Sequence, residues 1–284
     1  MAQDVRARHP PNRGRTDWVG TISVGGPPEA AQHRLRKEVQ MQSGTVTDSL
    51  RVGGLHARVV NAVGQSIVDG HYAAGDILNL DELSVSFAVS RSVLREAMRV
   101  LQSLGMIEPR QRVGTQVLPR TSWELMNPQI IVWRGRGPEY FTQMREMLEM
   151  RLGIEPVAAR LSAQAMTPEQ LAAVSAAADA MVVADQAGDG RGFLEADIDF
   201  HTLILRGSGN AVMGHFASTV AALLRTREEE KRFTITAYTP PSAHRHHELA
   251  HALAVRDGEA AYRWSFATIE ATLAEFMAET PRQV

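Results

Sequence analysis

The sequence predicts a mostly α chain in two parts: three helices closed by a β-hairpin, then an all-α helical bundle. Three observations predict it. Apolar residues recur three and four apart from residue 55 to 104 and again from 124 to 279. Two short extended runs, residues 106–110 and 115–118, flank Gln111-Arg112-Val113-Gly114 between those regions. Gly, Pro and Asn then divide the second region into segments of helical length.

Residues 55–68 place Leu55, Val59, Val60, Val63 and Ile67 on one face and read as a first helix. Gly70 and Gly75 lie in the break that follows, both suited to positive-φ turns. Residues 81–88 read as a short second helix, with Leu83 and Phe87 four apart and Asp81 and Glu82 at its positive end. In Val89-Ser90-Arg91-Ser92-Val93-Leu94-Arg95-Glu96-Ala97-Met98, Ser90 stands where an N-cap is wanted, its hydroxyl accepting from first-turn amides. Val93, Leu94, Ala97, Val100, Leu101 and Leu104 form the inward stripe of this third helix, and Gly105 stops it. Arg91, Ser92 and Arg95 are left at its start, while Arg110 and Arg112 fall on the hairpin. Together these elements describe a winged helix-turn-helix, which presents such residues to base edges and phosphates in the major groove.

From Trp123 onward, helices are expected near 124–134, 138–165, 168–187, 191–207, 210–233, 243–256 and 258–279. Thr167-Pro168-Glu169-Gln170 has the form of a capping box with proline at the first helical position. Asp197 and His201 lie one turn apart on one face, and read either as a solvent-exposed hydrogen bond or as two ligands of one cation. Arg151 precedes Glu155 by one turn, the spacing of a surface ion pair. His246 and His247 open a later helix, with His244 and His247 expected to face solvent.

The 284 residues suit two domains: a tail at 1–48, the winged helix-turn-helix at 49–118, a linker at 119–123 and the bundle at 124–279. The net charge of -2 is unevenly spread, since residues 121–284 carry 15 Lys and Arg against 21 Asp and Glu. The remainder is mildly basic, so a basic reader joined to an acidic sensor is the expected polarity. With no cysteine, disulfides and thiolate metal sites are excluded, and a cytoplasmic location is the simplest expectation. No apolar run is long enough to span a bilayer, and the start has no apolar signal core. Pro10-Pro11, Gly25-Gly26-Pro27-Pro28 and scattered arginines give the tail the composition of a disordered segment. It reads either as an arm adding phosphate contacts or as an overextended start, with Met41 as initiator.

Residues 51–118 resemble the GntR superfamily of bacterial transcription regulators, through a first helix, a glycine-bounded turn, the string Val-Ser-Arg-x-x-Leu-Arg-Glu-Ala and a glycine-containing wing. Strictly, the string here has Val93 ahead of Leu94, followed by Arg95-Glu96-Ala97. The resemblance implies DNA contacts from Ser90, Arg91, Ser92 and Arg95, with Gln111 and Arg112 on the wing. Asp81 departs from the pattern, which often has arginine there, so one DNA contact is expected to be missing.

Residues 123–279 are similar to the FCD ligand domain of the FadR-type branch, through Asp197…His201, Ser208-Gly209-Asn210, and His246 through Leu249, Ala252 and Leu253 to Asp257 and Ala261. That domain commonly holds Zn, Ni or a similar divalent ion with one Asp and three His. Thr268 stands at the third histidine's position, which reduces the implied site to Asp197, His201 and His246 and weakens it, with His251 a less favoured fourth candidate. Arg151 matches an arginine of the family's effector pocket, and Arg225 is its companion in this reading. Trp123-Glu124-Leu125-Met126-Asn127-Pro128 with Ile131-Val132-Trp133 is similar to the linker entry of sugar-acid operon repressors, those for galactonate especially. The resemblance therefore implies a homodimer on an inverted-repeat operator that releases DNA when a small carboxylate such as a sugar acid binds. Two alternatives stand beside it: the same reader answering an acyl-CoA or amino acid, and a metal-dependent hydrolase whose Asp-His-His group activates water.

Overall fold

Three apolar clusters, one in the winged helix and two in the bundle, organise the described residues, and one helix contributes to the first and to one of the others; the computed structural model describes residues 54–229 and 240–279. The tail read at residues 1–48 lies outside the described residues. Helix α1, Leu55–Val68, buries Val59, Val60, Val63 and Ile67, while Leu55 at its exposed first turn does not join them. Helix α2, Leu80–Phe87, starts one residue before the acids, because Asn79 is its cap and accepts from the amides of Asp81 and Glu82. Ala88, at φ 51, makes the left-handed turn of the helix-turn-helix. Helix α3, Arg91–Ser103, is capped by Ser90 as expected, with the Val93 amide donating to Oγ at 3.3 Å. Its buried residues Leu94, Ala97, Met98 and Leu101 share one core with the α1 stripe and with Leu83 and Phe87 of α2.

The wing is three-stranded, one strand more than the hairpin expected. Strands β2, Ile107–Arg110, and β3, Gly114–Val117, pair antiparallel with Arg110 opposite Gly114. Strand β1, Ile77–Leu78, adds to the other edge of β3, giving the order β1-β3-β2. At two residues it is too short to show the alternation that marks a strand.

Helix α4, Pro128–Arg136, begins four residues later than the periodicity suggests, because Pro128 takes the first helical position and Asn127 caps it. Its Ile130 and Trp133 are buried in the winged-helix core, whereas Ile131 packs with Tyr140, Met144 and Leu223 of the bundle. Gly64 of α1 admits this docking, since a Cβ there would stand 2.5 Å from the Trp133 ring. The boundary expected at 119–123 thus precedes a helix that serves both parts.

The bundle consists of α5 (Tyr140–Ala165), α6 (Pro168–Ala187), α7 (Gly190–Gly207), α8 (Ala211–Glu229), α9 (Pro240–Ala254) and α10 (Gly258–Glu279). The capping box read at Thr167 and Gln170 is formed, and Asp189 caps α7 through the Gly192 amide. Helix α9 starts at Pro240, where a break is expected from the Pro-Pro pair, because proline is tolerated in the first turn. Helix α5 packs against α10 and α7 at the centre. No helix among the described residues is long and apolar enough to cross a membrane.

Candidate functional site

At the front of α3, Ser90, Arg91, Ser92 and Arg95 are all exposed, as are Gln111 and Arg112 at the wing tip. The α3 stripe fixes this: with Leu94, Ala97 and Leu101 turned inward, the intervening polar residues have only solvent to face. Ser90 and Ser92 share a hydrogen bond of 2.8 Å between hydroxyls. Arg112 takes φ 63 at the tip of the wing, holding the hairpin turn. Arg110 pairs with Glu108 on the same strand. Arg95 has no ion pair among the described residues, so its guanidinium is free for a phosphate or a base. Arg91 does have one: Nη2 lies 3.1 Å from Asp81 Oδ1 of α2.

A second cluster is buried within the bundle. Helix α5 supplies Arg151 and Glu155, α7 supplies Asp197 and His201, and α9 supplies His246, each 4 % exposed or less. Arg151 Nε donates to Glu155 Oε1 at 2.5 Å, and Glu155 Oε2 receives His201 Nδ1 at 2.6 Å. His246 Nδ1 lies 2.8 Å from the Ser242 carbonyl. A carboxylate and a carbonyl only accept, so both Nδ1 atoms carry protons, and each ring turns its Nε2 toward Asp197. Asp197 Oδ1 lies 3.2 Å from each Nε2, and the two Nε2 atoms are 3.5 Å apart. Arg151 Nη2 also reaches His201 Nε2, at 3.0 Å.

Burial disfavours the Glu155 charge, but the Arg151 guanidinium and the His201 ring outweigh it and hold the carboxyl down to about 2. Burial likewise opposes Asp197, and the His201 and His246 rings still keep it well below the usual carboxylate range. His201 is pulled down by burial and by Arg151, yet Glu155 and Asp197 raise it overall. Arg151 stays charged, since Glu155 and Asp197 overcome its burial.

The group fits a metal ion. Asp197 Oδ1 is a buried oxygen with no hydrogen bond of good geometry, facing the Nε2 atoms of two imidazoles. With both Nε2 atoms unprotonated, three acceptors converge on one point, an arrangement that a cation between them satisfies. A tetrahedral ion with bonds of about 2.0–2.1 Å separates its ligands by about 3.3 Å, close to the 3.2, 3.2 and 3.5 Å seen. Asp197, His201 and His246 form the one metal-competent group found among the described residues. Glu155 and the Ser242 carbonyl then orient the two imidazoles from behind.

The profile described as bacterial regulatory proteins, gntR family, matches residues 55–117, and that of the FCD domain matches residues 146–271. The chain is 31% identical over 205 residues to the galactonate operon transcriptional repressor of Escherichia coli, covering 72% of this chain and 89% of that protein. It is also 31% identical over 201 residues to the uncharacterized HTH-type transcriptional regulator YieP of Escherichia coli, covering 70% of this chain and 85% of that one. The chain belongs to the GntR family, with an FCD domain.

As a GntR regulator it is not an enzyme, and the hydrolase reading of the Asp-His-His group falls. The FCD match spans the whole buried cluster, from Arg151 to Thr268. Thr268 lines the same cavity as Asp197, His201 and His246 and donates its hydroxyl to the Trp264 carbonyl. His251 is exposed and apart from the group, as are His244 and His247. Trp133 lies in the winged-helix core and Trp123 packs against it, with Trp123 Nε1 donating to the Leu118 carbonyl.

Two assignments change. Arg151 and Glu155 form a buried pair on the site rather than a surface one. Arg225 is exposed and lines an outer groove with Pro128, Ile198 and Asp199, apart from Arg151. Arg227, buried and lining the cavity of His201 and His246, is the arginine of α8 that sequence reasoning missed. The signal was present: Val220, Leu223 and Leu224 put Arg227 on the inward stripe and leave Arg225 off it.

Proposed function

We propose that this regulator is a homodimeric repressor that acts in the cytoplasm, binds an inverted-repeat operator through Ser90, Arg91, Ser92, Arg95, Gln111 and Arg112, and releases it when a sugar acid enters the FCD domain. The observation that carries the effector reading is the buried cluster itself. Arg151 and Arg227 bring two guanidiniums to a cavity lined also by Ser242, Thr268, Thr272, Glu275, the Asp-His-His group and two apolar residues, Phe193 and Ile269. Cations there suit a carboxylate, and hydroxyl and carboxylate groups suit the several hydroxyls of a hexonate. The galactonate repressor to which the chain is similar supports the same class. Phe193 and Ile269 are the apolar part of this lining, too little to house an acyl chain.

A Zn or Ni ion on Asp197, His201 and His246 is part of this proposal. When bound, it adds positive charge facing the effector's carboxylate and leaves coordination positions open. The cavity has room for about one water molecule, at about 10 Å³. A hexonate is much larger, so it enters only if α9 and α10 shift around the cluster. An effector that binds the opened form better changes the balance between forms, and operator affinity changes reciprocally.

The test is a thermal-shift panel of hexonates, acyl-CoAs and amino acids on the full chain with and without chelator, followed by operator binding with each hit. A hexonate is expected to raise the melting temperature and weaken operator binding, and the chelator to reduce both effects. Stabilisation by an acyl-CoA or an amino acid alone overturns the sugar-acid reading.

A further inference from the structure

The Arg91–Asp81 pair has no use in stability. Both side chains are three-quarters exposed, at 77 % and 75 %, and ion pairs so placed contribute next to nothing to folding. It nevertheless joins the first residue of α3 to the first turn of α2, across the helix-turn-helix and on the face that meets DNA. The Asp81 backbone is fixed, since Asn79 Oδ1 accepts from the amides of both Asp81 and Glu82, and Asn79 Nδ2 binds the Glu82 carboxylate at 2.7 Å. Glu82 is thereby occupied, and Asp81 is left to face Arg91 alone.

We propose that Asp81 is a specificity-determining residue of the DNA reader: it holds the Arg91 fork toward one guanine and offers its free oxygen to the amino group of a cytosine. The inference rests on the reading of Arg91 as a base contact. A carboxylate beside the groove is repelled by phosphate, so it subtracts from affinity for every sequence alike. It repays that loss only where it orders a cation against a base edge. An arginine on a flexible stem satisfies any nearby phosphate, whereas one held by a carboxylate through Nη2 keeps its other N–H groups for guanine O6 and N7. A carboxylate oxygen in the groove is itself matched by cytosine N4. Specificity here arises from a repulsive element as well as an attractive one. An arginine at position 81, as the family pattern has it, would favour phosphate generally; the aspartate trades that for discrimination.

The experiment selects duplexes from a randomised library with the full chain, then measures binding of the best duplex, each single-base variant and an unrelated duplex. Asp81→Asn keeps the shape and removes the charge; Asp81→Ala serves as a second variant, and circular dichroism confirms each fold. Asp81→Asn is expected to flatten discrimination at one G·C pair per half-site on the order of 10-fold, to raise affinity for the unrelated duplex, and to steepen the salt dependence by up to about one ion. Arg91→Ala is expected to lose the same preference, and the double variant to lose no more. The inference is overturned if both Asp81 variants keep the preference at every base pair, or if their loss adds in full to that of Arg91→Ala. An unchanged preference in Arg91→Ala alone refutes the reading of Arg91 as a base contact, and is told apart because it appears without any Asp81 substitution.

Discussion

Glu155 answers two buried partners at once, binding Arg151 with one oxygen and His201 with the other. Removing its charge leaves a guanidinium without a full counter-charge at 3 % exposure. Breaking a buried pair from one side costs about 3–5 kcal/mol, so Glu155→Gln is expected to lower the melting temperature clearly. It also loosens the hold on Nδ1 that turns His201 Nε2 toward Asp197. Loss of a partner behind a ligand typically weakens a metal site by about 10–100-fold, which competition with a chromophoric chelator reads directly. Wild-type metal affinity in Glu155→Gln would show that the proposed ion does not use His201 Nε2. Thr268 tests the same site in the opposite direction. It is buried beside the three proposed ligands and spends its hydroxyl on a backbone carbonyl. Thr268→His is expected to supply a fourth ligand and tighten binding on the order of 10-fold or more; weaker binding would mean that position 268 does not point at the ion.

Helix α4 is the element whose packing matters most, because its two faces enter two cores. Trp133 is 1 % exposed and lies flat against Gly64, so Gly64→Ala has no room to relax into. Overpacking of this kind costs about 1–3 kcal/mol. The expected result is a lower melting temperature with a red shift of tryptophan emission as Trp133 is displaced; unchanged emission would mean that α1 yields instead. Most helices were legible because their ends are written in side chains: Ser90, Thr167 with Gln170, and Gly105 each terminate an element where expected. Strand β1 was not legible, since two residues carry no period and its existence depends on β3. The candidate site was half legible. Asp197, His201 and His246 follow from spacing and resemblance, but the burial of Arg151 and Glu155 depends on a stripe shared with Met144, Met147, Leu148, Ala158, Ala159 and Ser162. A charged pair in an inward stripe looks like a surface pair until the stripe is traced through it.

At the scale of the whole molecule, the question is how a change in the bundle reaches α3. The contacts run through α4. Asn61 of α1 accepts from the Trp133 indole at 3.2 Å and from Gln129 at 3.1 Å, and Gln65 donates to the Trp133 carbonyl at 3.1 Å. On the other side, buried Arg134 binds Glu139 at 2.7 Å and Glu146 of α5 at 2.9 Å, and Arg120 of the linker shares Glu139 at 3.1 Å. Helix α5 carries Arg151, so the proposed effector, acting there, would move an element already tied to α4. The winged helix and the bundle each keep their own core without Asn61, whose polar tip only joins them. Asn61→Ala is therefore expected to leave operator and effector affinities, each measured alone, within about threefold of wild type. What it removes is part of the coupling, which in such systems amounts to about 1–3 kcal/mol. The measurement is operator affinity with and without saturating effector, in wild type and variant. A ratio that falls toward one places the coupling at the α1–α4 contact, and an unchanged ratio moves it to the linker side at Arg120 and Glu139.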